Sequence, residues 1–186
     1  QELVDRFGKD VETGSVPDVA PAFWSIYSDN VTWPSSYLII PGSLYDKYGA
    51  ARIVDSPLAE LSIVAIGIGA ALAELRPICE IQFSDFIHPA FNQIVNEAAK
   101  FYYRSNSQWR VPLVIRAPYG GGISGGLYHS QSVEAFFAHV PGLKSVVPST
   151  PHDAKGLLKS AVRDPNPVLF FEPKKGYRSI KGDVPT

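Results

Sequence analysis

One carboxylate stands at a point in the sequence where it could take part in acid–base chemistry. Glu60 follows Ser56-Pro57 and immediately precedes an apolar run at residues 61–75. Serine is a good helix N-cap and proline suits the first helical position, so the sequence predicts a helix that begins here. Residues 63–72 carry no charge on any face, which predicts a helix buried on all sides. Glu60 is then either a functional carboxylate at the mouth of a buried helix or a simple complement to the helix dipole.

A second candidate is His129, which follows a glycine-rich loop at residues 120–126. Glycine lets a ligand approach the backbone closely, and histidine can act as an acid, a base or an anion stabiliser near neutral pH. The loop lacks the Lys-Ser/Thr ending of a Walker-type phosphate loop. A flexible connection with an exposed histidine stays an equal alternative on these residues alone.

Other chemistries find less support. No pair of histidines has the spacing of metal ligands, and no nucleophile elbow is present. The segment Gly67-Ile68-Gly69 could be a dinucleotide-binding turn of a nicotinamide oxidoreductase, but Leu72 replaces the small residue of that fingerprint. Glu80 also lies too few residues after this segment to be the acidic residue that binds the ribose. A nicotinamide oxidoreductase therefore stays a minor alternative.

Strands alternate with helices along most of the chain. The patterns predict strands at residues 24–27, 78–83, 113–116, 145–147 and 168–171, and helices at residues 87–103, 132–139 and 151–162. Short strands that are apolar on both faces predict an α/β fold with a mostly parallel sheet and helices on both faces. Ligands of such sheets bind at the carboxyl ends of the strands, here residues 82–86, 119–129 and 149–152.

The ends of the chain differ from this regular part. Residues 1–25 are broken by glycine and proline and are predicted to be irregular, and residues 26–178 form the predicted domain. Residues 179–186 are predicted to link it to a carboxy-terminal domain that the sequence does not contain. Methionine is absent even at position 1, so we expect a fragment or an altered sequence.

Composition narrows the possible functions. The chain has 186 residues, of which 45% are hydrophobic, which suffices for one sizeable core. A net charge of −1 without basic blocks argues against nucleic acid and anionic membranes as partners. The apolar run is too short to span a bilayer. The single cysteine, Cys79, predicts a reducing compartment.

Seven ordered motifs resemble the beta subunit of the thiamine-dependent decarboxylase component of 2-oxo acid dehydrogenase complexes, and most closely its branched-chain (2-oxoisovalerate) type. They are DSPLAE at 55–60, PICEIQFSDF at 77–86, NQIVNEAAK at 92–100, YRS at 103–105, LYHSQS at 127–132, DAKGLL at 153–158 and DPNPVLFFEPK at 164–174. The resemblance is strong over residues 44–178 and weak over residues 26–43. It implies the pyrimidine-binding domain of the transketolase-like superfamily.

The resemblance also implies roles for individual residues. The glutamate that matches Glu60 hydrogen-bonds N1′ of the aminopyrimidine of thiamine diphosphate, which favours the tautomer that removes the thiazolium C2 proton. Phe86 matches the aromatic residue that packs on the pyrimidine, with Leu58 beside it. His129 matches the active-site histidine near the substrate and the lipoyl entry, and Gln82 falls where the substrate pocket begins.

Half of such a site is missing from this sequence. The family binds the diphosphate and magnesium through a Gly-Asp-Gly…Asn motif, which is absent here, so the resemblance implies an alpha subunit that supplies it. An alpha2-beta2 heterotetramer, a lipoyl acyltransferase component and a 2-oxo acid substrate are the implied partners, in a bacterial cytoplasm or a mitochondrial matrix. Small residues of the predicted helix would suit the interface: Gly67, Gly69, Ala70 and Ala71. A potassium site of the branched-chain type would map near Leu113, Ala161 and Asp164.

Some positions depart from the family pattern. Ser28-Asp29-Asn30-Val31 replaces Gly-Glu-Asp-Val, and His88, Asn92 and Val133 replace an aromatic residue, an aspartate and a proline. The motifs of Glu60, Phe86 and His129 stay in register. A pyruvate or acetoin dehydrogenase beta subunit, or a non-catalytic assembly domain of the same fold, are the alternatives to a branched-chain enzyme.

Overall fold

A computed structural model describes residues 23–28, residue 48 and residues 51–184. Within these ranges the chain forms one parallel sheet with strand order β2-β1-β3-β4-β6-β5. The strands are β1 (Phe23–Ser28), β2 (Ile53–Ser56), β3 (Arg76–Glu80), β4 (Val114–Tyr119), β5 (Lys144–Val146) and β6 (Val168–Pro173). The predicted α/β fold with a parallel sheet is confirmed.

The helices connect these strands. They are α1 (Glu60–Leu72), α2 (Phe101–Arg104), α3 (Ala135–Ala138), α4 (Pro151–Arg163) and α5 (Gly176–Ser179). A π-helix at Gln93–Ala98 and 3₁₀ turns at Ser84–Phe86, His88–Ala90 and Leu127–His129 complete the described elements. The predicted irregular segment at residues 1–25 falls almost entirely outside the described residues, as do Asp29 and Asn30.

Hydrophobic side chains lie on both faces of the sheet. On one face, Cys79, Ile115 and Phe171 join α1 and the 88–104 segment in the larger core. On the other face, Val114 and Phe170 pack with Val162 of α4 and its neighbours. Successive residues of a strand point to opposite faces of the sheet, and here both faces are covered. The strands are therefore continuous apolar runs in the sequence, which is why they could be predicted.

The start of α1 differs from the prediction. Ser56 does not cap a helix, because it is the last residue of β2 and pairs with Ser28 of β1. The helix begins at Glu60 with Ala59 as a cap that makes no side-chain hydrogen bond. Parallel pairing with β1 therefore keeps the chain in a strand as far as Ser56, the predicted cap. Glu60 nevertheless lies in the first turn of α1, as predicted.

The expectation that α1 is buried on all sides is wrong for this chain. Ile63, Val64 and Ile68 are buried, whereas Leu61 is 46% exposed and Ile66 is 53% exposed. Gly67 faces inward, where an added Cβ would clash with the Sγ of Cys79, so its small size serves packing inside this chain. Because Gly67-Ile68-Gly69 lies within a helix, it cannot be a dinucleotide-binding turn.

Two other helix starts were also predicted. Thr150 caps α4 through its side chain, which accepts a hydrogen bond from the backbone N–H of Asp153 at 3.1 Å, and α4 begins at Pro151 as predicted. Ser132 does not begin a helix, since α3 starts at Ala135. Among the described residues, no helix combines the length and apolar character needed to cross a membrane.

A buried ionic cluster ties together three neighbouring strands of the sheet, β3, β4 and β6. Arg116 on β4 donates to Glu80 on β3 at 2.5 Å and to both carboxylate oxygens of Glu172 on β6 at 2.5 and 2.9 Å. The hydroxyl of Tyr177 also donates to Glu172. Glu80 is 3% exposed, and burial, only partly offset by Arg116, raises its pKa from 4.5 to about 7. One arginine therefore serves two buried carboxylates, and Glu80 binds its proton more tightly in the folded chain.

This shift predicts that the chain loses stability as the pH rises. The folded state binds more protons than the unfolded state between the two pKa values, so the free energy of unfolding falls as the pH rises from about 4.5 to about 7, by up to about 3 kcal/mol. In Glu80→Gln, which is neutral at every pH, this part of the slope is absent. Urea unfolding at several pH values measures it, with the exposed Glu74→Gln as control. An unchanged slope in Glu80→Gln would contradict the assignment.

Candidate functional site

The carboxyl edge of the sheet gathers the segments that the sequence predicted to hold a ligand. All strand pairs are parallel, so every strand ends at this edge. Glu60 comes four positions after the end of β2, residues 81–86 follow β3, and the glycine-rich loop follows β4. Since only β1 separates β2 from β3, the ends of these two strands lie about 10 Å apart.

Glu60 is half-buried in the first turn of α1. The N-terminal end of a helix favours a carboxylate, because the dipole and the unsatisfied N–H groups are positive there. Its carboxylate forms no hydrogen bond or ion pair with any described side chain. The carboxylate therefore remains able to bond a ligand.

Three rings lie together next to the ends of β3 and β4. The ring centroids of Phe83 and His129 are 4.9 Å apart, and those of Phe86 and His129 are 5.4 Å apart. Phe83 and Phe86 also contact each other, at 6.1 Å, and all three pairs are nearly perpendicular. Edge-to-face contacts of this kind are favourable for aromatic rings. All three rings are half-buried, so part of their surface stays accessible.

The imidazole of His129 is fixed by a short-range hydrogen bond. Its Nδ1 lies 3.1 Å from the carbonyl oxygen of Gly125. A carbonyl can only accept, so we assign the proton of the neutral ring to Nδ1, which leaves Nε2 as an acceptor. His129 can thus take a proton at Nε2 from a bound group.

Two charged residues that sequence reasoning did not identify hold the same loop. Asp85 accepts hydrogen bonds from the backbone N–H groups of Ser130 and Gln131 at 3.1 and 3.0 Å. Lys174 donates to the carbonyl of His129 at 2.6 Å and stands 4.7 Å from the ring centroid of Phe83. Burial lowers the pKa of Lys174, and the Asp85 carboxylate partly offsets this. Asp85 lies in the predicted ligand segment 82–86, but no spacing signals that Lys174 reaches the loop.

The structure thus brings the rings of Phe86 and His129 into contact. It leaves Leu58, Glu60 and Gln82 on the same edge of the sheet, with Leu58 49% exposed and Gln82 half-buried. His152 is exposed on the first turn of α4. The site is therefore centred on the ends of β3 and β4, with Glu60 at its β2 side.

The residues of the predicted potassium site already have partners. The carboxylate of Asp164 accepts hydrogen bonds from Lys144 and Asn166, and its carbonyl accepts one from Arg76 at 3.2 Å. Burial raises the pKa of Asp164, but these hydrogen bonds bring it below its ordinary value. Leu113 is fully buried and its carbonyl accepts from the N–H of Val168 at 2.8 Å. As arranged here, with two cations beside Asp164, these residues do not fit a potassium ion.

Comparison with known proteins gives a consistent picture. The family described as "Transketolase, pyrimidine binding domain" matches residues 17–179. The beta subunit of 2-oxoisovalerate dehydrogenase from Bacillus subtilis is 66% identical over 76% of this chain and 43% of its own length. The mitochondrial beta subunit 2 of the same enzyme from Arabidopsis thaliana is 59% identical over 76% of this chain and 40% of its own length.

Two further proteins match at lower sequence identity. The beta subunit of the pyruvate dehydrogenase E1 component from Acholeplasma laidlawii is 44% identical over 86% of this chain and 49% of its own length. A solved structure titled "Split gene transketolase, inactive beta4 tetramer" superposes with a TM-score of 0.64 at 20% identity, over 98% of this chain and 52% of that one. This last likeness concerns the fold alone. The chain spans less than half the length of the curated relatives it matches.

Proposed function

We propose that this chain, which belongs to the family of transketolase pyrimidine-binding domains, supplies the pyrimidine half of a thiamine diphosphate site in a 2-oxo acid dehydrogenase. The observation that carries the proposal is the contact between Phe86 and His129 at the edge of the sheet where Glu60 begins α1. The 2-oxoisovalerate dehydrogenase names of the relatives from B. subtilis and A. thaliana support the enzyme class.

The residues of this edge fit an aminopyrimidine ring. A flat, polar heterocycle needs apolar side chains against its faces and a hydrogen-bond partner at its edge. Phe86 and the exposed Leu58 are available to pack on the ring, and Glu60 has no described partner that would compete for its carboxylate. Asp153 in the first turn of α4 is a second carboxylate at this edge, but it accepts a hydrogen bond from Ser149 and follows β5, at the opposite end of the strand order from β2.

Each residue then has a definite task. Bound thiamine diphosphate would supply the nucleophilic carbon that decarboxylation of a 2-oxo acid needs. Glu60 would hydrogen-bond N1′ of the pyrimidine and exchange a proton with it. His129 offers the unprotonated Nε2 toward the substrate side, and Gln82 contributes to the pocket beside it.

The remaining half of the site belongs to a partner in this proposal. The sequence has no Gly-Asp-Gly motif for the diphosphate and magnesium, so we assign both to an alpha subunit. The exposed apolar side chains of α1, Leu61 and Ile66, support burial against a neighbouring subunit of an alpha2-beta2 assembly. The acyl group would pass to a lipoyl acyltransferase component, in a bacterial cytoplasm or a mitochondrial matrix.

Branched-chain 2-oxo acids are the substrates that we propose. The two 2-oxoisovalerate dehydrogenase subunits named above are 66% and 59% identical to this chain, against 44% for the pyruvate dehydrogenase subunit. A pocket shaped for the two extra methyl groups favours the larger acid by at least about tenfold. Pyruvate is the alternative, since pyruvate dehydrogenase subunits also match.

Turnover of a reconstituted complex tests this assignment. The chain is combined with an alpha subunit that carries the diphosphate motif, and kcat/KM is measured for 3-methyl-2-oxobutanoate and for pyruvate. We expect at least about tenfold preference for the branched acid. Equal or greater kcat/KM with pyruvate would contradict the branched-chain assignment, and no turnover with either acid would favour a non-catalytic assembly domain.

A further inference from the structure

The loop that carries His129 is fixed at its base. The N–H of Gly120 donates to the carbonyl of Gln131 at 2.8 Å, which closes the loop. Its outer part is exposed, with Leu127 at 72% and Tyr128 at 68% exposure. His129 lies between these regions, two residues before Gln131, so its position depends on what holds residues 129–131.

We propose that Asp85 and Lys174 are positioning residues that hold His129 in its working geometry from two sides. The proposal rests on the proposed function for its catalytic consequence, but its structural part concerns the described residues only. Both residues are buried, at 8% and 5% exposure, although their side chains are charged.

Asp85 holds the loop from the β3 side. The hydrogen bonds that its carboxylate makes both go to the loop, from the N–H groups of Ser130 and Gln131 to Oδ1. Its second oxygen, Oδ2, is buried and has no partner among the described residues. Hydrogen bonds to an ionised acceptor are about twice as strong as neutral ones, which repays part of the cost of burying this charge. Asp85 therefore fixes the two residues that directly follow His129.

Lys174 holds the loop from the β6 side. Its N–H donates to the carbonyl of Tyr119 at 3.1 Å, which anchors it at the start of the loop. Its ammonium donates to the carbonyl of His129 itself and lies over the ring of Phe83, which is in turn packed against His129. A cation over the face of an aromatic ring is attracted by the negative potential of that face. Lys174 therefore constrains both the backbone of His129 and one of its ring contacts.

The position of the loop backbone determines which ring nitrogen of His129 carries the proton. The Nδ1–H of His129 can reach the carbonyl of Gly125 only while residues 125 and 129 keep their relative positions. If either charged contact is lost, the loop can relax and both tautomers of the ring become populated. A displacement of about 1 Å at a group that takes part in the reaction can lower the rate about 100-fold.

The first part of the test uses the full chain without any partner. Nitrogen-15 NMR of histidine-labelled protein reports the tautomer of His129, whose signals are assigned with His129→Gln. We expect the ratio of the Nδ1–H to the Nε2–H form to fall at least about tenfold in Asp85→Ala, and to recover largely in Asp85→Asn, which keeps the acceptor oxygen. If Asp85→Ala does not fold, Lys174→Met provides the same test. The exposed Asp183→Asn and Lys181→Met are matched controls and should leave the ratio unchanged.

The second part uses the reconstituted complex. We expect Asp85→Ala to lower kcat about 100-fold with KM changed less than about threefold, and Asp85→Asn to recover at least about tenfold of that loss. An unchanged tautomer ratio in folded Asp85→Ala or Lys174→Met would overturn the positioning role. A changed ratio with unchanged kcat would uphold the positioning role and instead overturn the catalytic role of His129 in the proposed function.

Discussion

Replacing Glu60 by glutamine lowers the decarboxylation turnover of the reconstituted complex by about 1000-fold, within the range that a single acid–base group contributes. Glutamine keeps the size of the side chain and can still form a hydrogen bond, but it cannot exchange a proton. The Glu60 carboxylate makes no described hydrogen bond or ion pair, so its charge contributes to the fold only through the helix dipole, by less than about 1 kcal/mol. We therefore expect the loss in kcat without a loss of assembly or of thermal stability.

Glu74 provides the matched control for this variant. It is an exposed glutamate just beyond the other end of α1, so Glu74→Gln removes the same charge from the same helix without touching the site. Turnover of Glu74→Gln should equal that of the unmodified complex. If Glu60→Gln retained full turnover in an intact complex, the chain would act as an assembly domain and not as half of a catalytic site.

Replacing Arg116 by methionine lowers the free energy of unfolding by about 3 to 5 kcal/mol, the range for removing one partner of a buried ion pair. Methionine fills much of the same volume, but Glu80 and Glu172 then face each other without a cation between them. Both carboxylates are at most 10% exposed at the side chain, so water cannot replace the lost hydrogen bonds. The midpoint of urea unfolding measures the effect.

Arg163 serves as the comparison for that measurement. It is an exposed arginine in the last turn of α4, and Arg163→Met should change the free energy of unfolding by less than about 1 kcal/mol. A similarly small change in Arg116→Met would mean that the cluster contributes little to stability.

Strongly patterned elements were predictable from the sequence. The strand at β6 and the helix at α4 match their predicted ranges to within two residues, because a continuous apolar run and a proline at the first helical position are local signals. The start of α1 was not predicted correctly. Ser56-Pro57 has the local chemistry of a helix start, but pairing with β1 keeps Ser56 extended, and tertiary pairing outweighs the local preference.

The site was only partly predictable for a related reason. Phe86 and His129 belong to motifs that resemble a known family, and the order of parallel strands brings their ends together. Lys174 lies 45 residues from His129, and its contact exists only because β6 is the neighbour of β4. The exposed face of α1 was not predicted. The composition of a helix does not show whether its apolar side chains pack against the same chain or against another one.

The ionic cluster shows the same dependence on strand order. Glu80 and Arg116 are register partners on β3 and β4, and Glu172 lies two residues beyond the partner of Arg116 on β6. In the sequence these charges are isolated residues within apolar strands. Only the order β3-β4-β6 makes them a bonded set, so one sequence without strand pairing cannot reveal it.

The central claim is that Glu60 acts on a thiamine diphosphate whose pyrimidine this chain binds. It is tested most directly by the rate at which the C2 proton of the bound cofactor exchanges with deuterium in the reconstituted complex, without substrate. We predict exchange at least about 100-fold slower in Glu60→Gln than in the unmodified complex and in Glu74→Gln. Equal exchange rates in all three, with the cofactor bound, would contradict the claim.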